Sequence, residues 1–226
     1  MKTSNKKKLK KILIGVALSV GFIILSAVSA LLLLLSHTPA LYQPVIPEDP
    51  DQVSTYLTHT LAPQFHQDIQ LENPFTLTIE QAGLNDILSR LRLPSLDGAT
   101  LLAPAAAITE NGLYLMATIK KGKYSAVVTI SFQPSIDRTG RLRLNLQSVK
   151  LGALPATSLT RKLAAGMTQS LRGMYSKTPI LQNLPAALLE NQPVEPVFTF
   201  DRRTVRLTDL NLRPGLLCLT FSPTQK

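Results

Sequence analysis

Between residues 12 and 35 the chain reads as one uninterrupted apolar run, 24 residues without a charge or a proline. As a helix rising about 1.5 Å per residue it measures roughly 36 Å, enough to cross a hydrocarbon core of about 30 Å with some tilt. Beyond it, 36–50 holds Pro39, Pro44, Pro47 and Pro50, which predicts an extended stalk lifting the domain away from the bilayer. Asp51 is placed to cap a short helix with Val53, Tyr56, Leu57 and Leu61 on one face. Alternation over 75–79 predicts a strand. Thr78 with Gln81 has the spacing of a capping box for a helix carrying Leu84, Ile87, Leu88 and Leu91, stopped by Pro94.

Period-two patterning then predicts an antiparallel meander. Leu113, Leu115, Ala117 and Ile119 lead into a turn at Lys121-Gly122-Lys123. Tyr124, Ala126, Val128, Ile130 and Phe132 share one face, with Ser125, Thr129 and Ser131 on the other. A turn over 137–140 precedes Leu142, Leu144 and Leu146. Such alternation implies sheets with one wet and one dry face. A second strong helix is expected over 157–176, its stripe made by Leu159, Leu163, Met167, Leu171 and Met174, with a weaker helical piece over 183–190. Strands at 197–200, 204–212 and 216–221 close the chain. The fold class is α+β: an N-terminal transmembrane helix, then a curved antiparallel sheet packed on two amphipathic helices. Leu88 and Leu163, mid-stripe, are expected to be well buried. The domain organisation is 1–11 as a cytoplasmic basic segment, 12–35 as the anchor, 36–50 as the stalk and 51–226 as one extracytoplasmic domain.

Charge gives the orientation. Six lysines precede the apolar run, and no Lys or Arg follows it until Arg90. The positive-inside rule puts the N-terminus in the cytoplasm and the domain outside the cytoplasmic membrane, in the cell envelope. A cleaved signal would need a shorter apolar core and a small-residue cleavage site, and 36–40 offers a poor one. An uncleaved signal anchor therefore fits better, with the bilayer as partner through 12–35. The distal part, from Arg90 onward, has 18 basic and seven acidic residues, a net +11. Outside a membrane that charge suits either an anionic neighbour or simple solubility, and nucleic acid is not an expected partner. The single Cys218 permits no intramolecular disulfide and reads as a small buried hydrophobe.

No catalytic motif stands out. His37, His59 and His66 lack metal-ligand spacing, six of the seven distal acids fall in turns (Asp137, Asp201) or loops (Asp97, Glu110, Glu190, Glu195) with no pair selected, and neither a Gly-x-Ser-x-Gly elbow nor a phosphate loop is present. No enzyme activity, cofactor or metal is expected. Arg202, Arg203 and Arg206, near a hairpin tip, are candidates for holding an anion, or form a solvated turn. The leucine and methionine stripes make Leu84, Ile87, Leu88, Leu91, Leu163, Met167, Leu171 and Met174 candidates for an apolar groove, or for ordinary core.

Residues 75–79 running into Gly83-Leu84-Asn85-Asp86-Ile87-Leu88, the strand before Gly140-Arg141-Leu142-Arg143-Leu144, and 149–155 leading into a helix resemble the YpmS-like family of bacterial membrane-anchored proteins. More remotely they resemble tubular, TULIP-like lipid-binding domains. The resemblance covers roughly 73–221, and 101–107 departs from it. It implies a long curved sheet wrapped on helices with an apolar groove between them, and no catalytic residue. The expected function is a membrane-anchored binding domain holding a lipid or other apolar ligand. The alternative is an envelope scaffold with a filled core and a protein partner.

Overall fold

The computed structural model of the chain describes residues 3–91, 93, 95, 98–156, 192–200 and 203–224, with side chains from residue 18 onward. Helix α1 (Thr3–Ser36) contains the apolar run. From 18 to 34 every residue is exposed, so this helix projects from the domain as a bare apolar rod. By length and composition it is able to cross a membrane.

The first small helix begins at Ser54, not Asp51. Ser54 is buried, and its hydroxyl accepts from Leu57 N–H at 3.1 Å, while Val53 points to solvent. The helix is also longer than its pattern suggests. A π turn (Leu57–Leu61) leads directly into α2 (Ala62–Gln70), with Ala62 N–H reaching back five residues to Leu57 O. Pro63 sits just beyond and has no N–H to give, so the widened turn accommodates a residue that would break regular helix.

Two antiparallel sheets follow, where one long curved sheet was expected. The four-stranded sheet has the order β1 (Phe75–Glu80), β11 (Leu216–Pro223), β10 (Arg203–Arg213), β9 (Val197–Phe200). The five-stranded sheet has the order β2 (Thr100–Thr109), β3 (Gly112–Lys121), β4 (Tyr124–Phe132), β7 (Leu146–Leu151), β8 (Leu154–Pro155). A two-residue ladder, β5 (Ser135–Ile136) with β6 (Leu142–Arg143), lies between β4 and β7 in sequence. The four-stranded sheet is wet on one face, where Thr76 and Thr220 hydroxyls meet at 3.0 Å. Cys218 lies on that same face beside Thr78 and is half-exposed, not buried. Its dry face packs on α2 through Ile69, Leu77, Val205, Leu207 and Phe221, with Phe65 edge-on to Phe75 and Phe221.

The five-stranded sheet departs from one-sided patterning. Ile108, Leu113, Ala117, Val128, Ile130, Phe132 and Val149 form the main core on one face. On the other, Ala107, Met116 and Val127 cluster with Tyr42 and Tyr114, and Thr129 and Ser131 are buried as well. Hydroxyls on that face are therefore interior groups, and Ser131 meets Ser148 at 2.7 Å.

Helix α3 (Gln81–Ser89) joins the sheets through polar side chains as well as through Leu84 of its leucine stripe. Thr78 remains in β1, and no capping box forms. Instead Gln81 N–H donates to Gly215 O at 2.8 Å, Gly215 N–H donates to Ile108 O at 3.0 Å, and Ile108 N–H donates to Gln81 Oε1 at 2.8 Å. One turn further along α3, buried Asn85 accepts from Ala106 N–H at 2.6 Å and donates to Ala106 O at 3.0 Å. The helix face against β2 is thus polar, because the strand's outer edge needs partners. Gly83 is buried where a Cβ would collide with the Tyr56 ring, which explains a glycine inside a helix. Tyr56 Oη also accepts from Glu80 N–H at the start of α3, at 3.1 Å. As a consequence Leu84, Ile87 and Leu88 are only half-buried, and Leu91 lies past the helix end, exposed. The second amphipathic helix, with Leu163, and the piece over 183–190 fall outside the described residues. Val194 pairs with Leu142 through both its N–H and its C=O.

Asp86, on α3, receives the Ser54 hydroxyl and two Arg90 N–H groups at 3.1 Å each, while Arg90 also reaches Asp49 O and Gln52 O. The Ser54 hydrogen bond, with Arg90, holds the Asp86 carboxyl below the ordinary carboxylate value. A depressed folded-state pKa contributes stability at pH above the unfolded-state value, and that contribution is lost as pH falls through the folded-state value. Asp86→Asn should therefore lower stability at neutral pH and flatten the acid side of the Tm–pH profile. A profile parallel to wild type would show that Asp86 plays no such part. For the joint, Asn85→Ala should cost about 2–6 kcal/mol, since it strands two buried backbone groups at about 1–3 kcal/mol each. Leu88→Ala, half-buried, should cost no more than about 2 kcal/mol. Thermal unfolding of the full chain in detergent tests both, and the reverse order would contradict the joint.

Candidate functional site

The feature that sets this molecule apart is where the apolar helix meets the sheet. At the end of α1, Leu34 O accepts from Ala153 N–H at 2.8 Å and from His37 N–H at 3.4 Å, and Ser36 Oγ donates to Leu33 O at 3.1 Å. Ala153 belongs to the turn between β7 and β8, and its neighbour Gly152 donates to Val127 O at 2.7 Å. Helix carbonyls that normally go to water or a local cap are thus held by the domain. Gly152 is required twice over: its φ is +58°, and a Cβ there would collide with the Leu34 and Leu35 carbonyls.

Residues 36–50, read from their prolines as a stalk, return to the same sheet. Tyr42 Oη donates to Ala103 O at 2.8 Å and lies 2.9 Å from Thr118 Oγ1, which is left to donate to it. Ala103 has φ +50° within a bulge between Leu102 and Ala105, just before Pro104. The bulge leaves that carbonyl free of the strand ladder and open to the tyrosine. Tyr42 ties this segment to the sheet at one point, while Val45 and Ile46 stay exposed.

Strand register defines which residues share this end. Thr100 pairs with Lys120, Leu101 with Ile119, and Ile119 with Ala126; Val128 pairs with Leu151. The β3–β4 hairpin tip, the start of β2 and the 152–153 turn therefore stand together at the end where α1 attaches. The core face changes along this axis. Ile108, Leu113, Phe132, Ala117 and Val128 are buried, Leu115 and Leu146 among them are half-buried, and at the α1 end Leu101, Ile119, Ala126 and Leu151 are all half-buried, with Leu101, Ile119 and Leu151 packed against the main core. The row of the dry face next to α1 is half-buried across β2, β3 and β4.

The candidate residues divide. Leu84 packs against the main core, while Ile87 and Leu88 are half-buried on α3 and Leu91 is separate from them in solvent. Leu163, Met167, Leu171 and Met174 lie outside the described residues, as does Arg202. Arg203 is occupied at the end of α2, donating to Ile69 O, Gln70 O and Glu72 Oε1, the last at 2.9 Å. Arg206 pairs with Glu195 at 2.7 Å. These two arginines hold the fold together and do not converge on a shared anion position. Asp137 is likewise engaged, accepting from Thr139, from Arg141 N–H and from Arg143, and these bonds push its carboxyl below the ordinary range. Among the described residues no three or more of His, Cys, Asp and Glu are grouped to hold a metal.

Sequence reasoning passed over Tyr42, Gly152, Ala153, Leu101 and the hairpin lysines as participants in one site. The signals were faint: a tyrosine among prolines, a glycine in a strand-like run, and three lysines at a turn. If the docking is as described, Gly152→Val should detach α1 from the sheet and leave the core intact. Limited proteolysis of the full chain in nanodiscs should then show faster cleavage within 36–42, with the domain destabilised by no more than the roughly 1–2 kcal/mol that a left-handed backbone costs a side chain. Unaltered cleavage would contradict the close approach.

No protein-family model matches this chain and no curated protein sequence matches it, so the likeness to YpmS-like and TULIP-like domains rests on the quoted residues alone.

Proposed function

We propose that this is a single-pass protein of the cytoplasmic membrane, N-terminus inside, whose outer domain receives a lipid or another apolar chain from the leaflet beside it. The observation that supports it is the half-buried apolar row of Leu101, Ile119, Ala126 and Leu151 at the end of the sheet where α1 docks. An apolar face exposed to water is costly, about 25 cal/mol per Å². Beside a bilayer the same face has apolar chains within reach. The lysine flank sets the orientation, and α1 supplies the span. Nearer α3, Ile108, Leu113 and Phe132 are buried, so an apolar chain would enter from the α1 end.

Two measurements test this reading. A reporter active only in the cytoplasm, fused after Lys226, should be inactive, and activity would refute the orientation. Lipids carrying a photoreactive group on the acyl chain, in nanodiscs holding the full chain, should crosslink within 100–102 and 117–128 as well as to α1. Ile119→Trp should remove the domain crosslinks and leave the fold stable, because it fills open space. Crosslinks confined to α1, with a destabilisation of about 1–3 kcal/mol from overpacking, would favour a scaffold with a filled core.

A further inference from the structure

The hairpin between β3 and β4 carries Lys120, Lys121, Lys123 and Tyr124, all exposed. Its turn, Gly122-Lys123, has Gly122 at φ +59°, which keeps it tight and projecting. The Lys123 ammonium lies over the Tyr124 ring at 5.5 Å from its centroid. From Thr118 to Val128 there is no acidic residue, nor from Thr100 to Thr109 or Gly152 to Ala156 on neighbouring strands. Among the described residues none of the three lysines is ion-paired. This is a small, strongly basic tip with one aromatic ring.

Its position gives it meaning. Val127 O is held by Gly152 N–H, one residue from the Ala153 that binds Leu34 O. Tyr124 is three residues from Val127 along β4, about 10 Å at 3.3 Å per residue. Headgroup regions occupy roughly 5–8 Å on each side of the hydrocarbon core. Because α1 ends against the sheet with no spacer, a bilayer surrounding that helix brings its surface within reach of the tip. Lysine stems can lie along the interface with their ammonium groups among phosphates, and tyrosine is a residue of that layer. Exposed Leu102, on the row of Thr118 and Val127, adds apolar surface nearby.

We propose that the Lys120–Tyr124 hairpin tip docks on anionic lipid headgroups of the leaflet from which α1 emerges, and so fixes the tilt of the domain over the membrane. This rests on α1 being a membrane span and does not depend on the apolar row holding lipid. Anionic headgroups, not zwitterionic ones, are the occupant, because the tip offers three positive charges and no negative one.

The chain contains no tryptophan, so Tyr124→Trp introduces a single indole in the full chain. The measurement is its emission and its quenching by headgroup-labelled lipid in nanodiscs of phosphatidylcholine alone or with phosphatidylglycerol. With phosphatidylglycerol the emission should be blue-shifted and quenched, and high salt should weaken both. Changing Lys120, Lys121 and Lys123 to Gln should lower the docked-to-free ratio by about five-fold per lysine, and the three Lys→Arg changes should restore it. Water-like emission in both discs would overturn the proposal. So would quenching that is equal in both discs and indifferent to the lysines, or a response confined to added soluble polyphosphate. Acyl-chain crosslinking to the apolar row is read separately, so loss of one result leaves the other interpretable.

Discussion

The outer edge of β2 is the constraint on which the domain depends. An edge strand presents N–H and C=O groups that must find partners or remain in water, and an unblocked edge invites another chain. Here Ala106 and Ile108 have all four of these groups satisfied: by the Asn85 carboxamide, by Gln81 Oε1 and by the Gly215 N–H at the β10–β11 turn. The same five bonds, counted with Gln81 N–H to Gly215 O, seal the edge and fasten the four-stranded sheet to the five-stranded one. Asn85 and Gln81 are four residues apart, so one helix face serves both.

That joint settles the polarity of the domain. With α3 and the β10–β11 turn fixed at the Ile108 end of the five-stranded sheet, the opposite end is left for α1, the 152–153 turn and the hairpin tip. Tyr42 adds a second attachment at the Ala103 bulge. A domain fastened to the end of its own anchor behaves differently from one on a flexible tether. A tether allows all orientations over the membrane, whereas a docked helix end limits them. The chemistry available to the protein then depends on which residues that one end presents, and these are a half-buried apolar row and three lysines.

Much of the architecture was legible from pattern. The apolar run, β1, the β3–β4 hairpin, the turn at 137–140 and the closing strands follow directly from hydrophobic spacing and turn residues. What pattern missed was long-range. Asn85, in the midst of a leucine stripe, appears as a blemish until Ala106 stands opposite. Thr129 and Ser131 read as a wet face, yet that face is covered, with Tyr42 among the residues packed there. The prolines of 36–50 suggest an extended stalk, but extended chain can lie against a sheet as easily as point away from it. Arg203 and Arg206 looked free because Glu72 and Glu195 are distant or separated by a turn in sequence. Local periodicity carries no information about such partners.

The central claim is that α1 ends on the sheet without a free tether. Hydrogen–deuterium exchange of the full chain in nanodiscs tests it most directly, at the amide of Ala153 and across residues 36–42. The account predicts that Ala153 exchanges slowly, like the neighbouring strand amides, and that exchange around Tyr42 is slowed relative to unstructured peptide. Exchange at the free-peptide rate at both places would mean that the domain hangs from a stalk, and the account would be wrong.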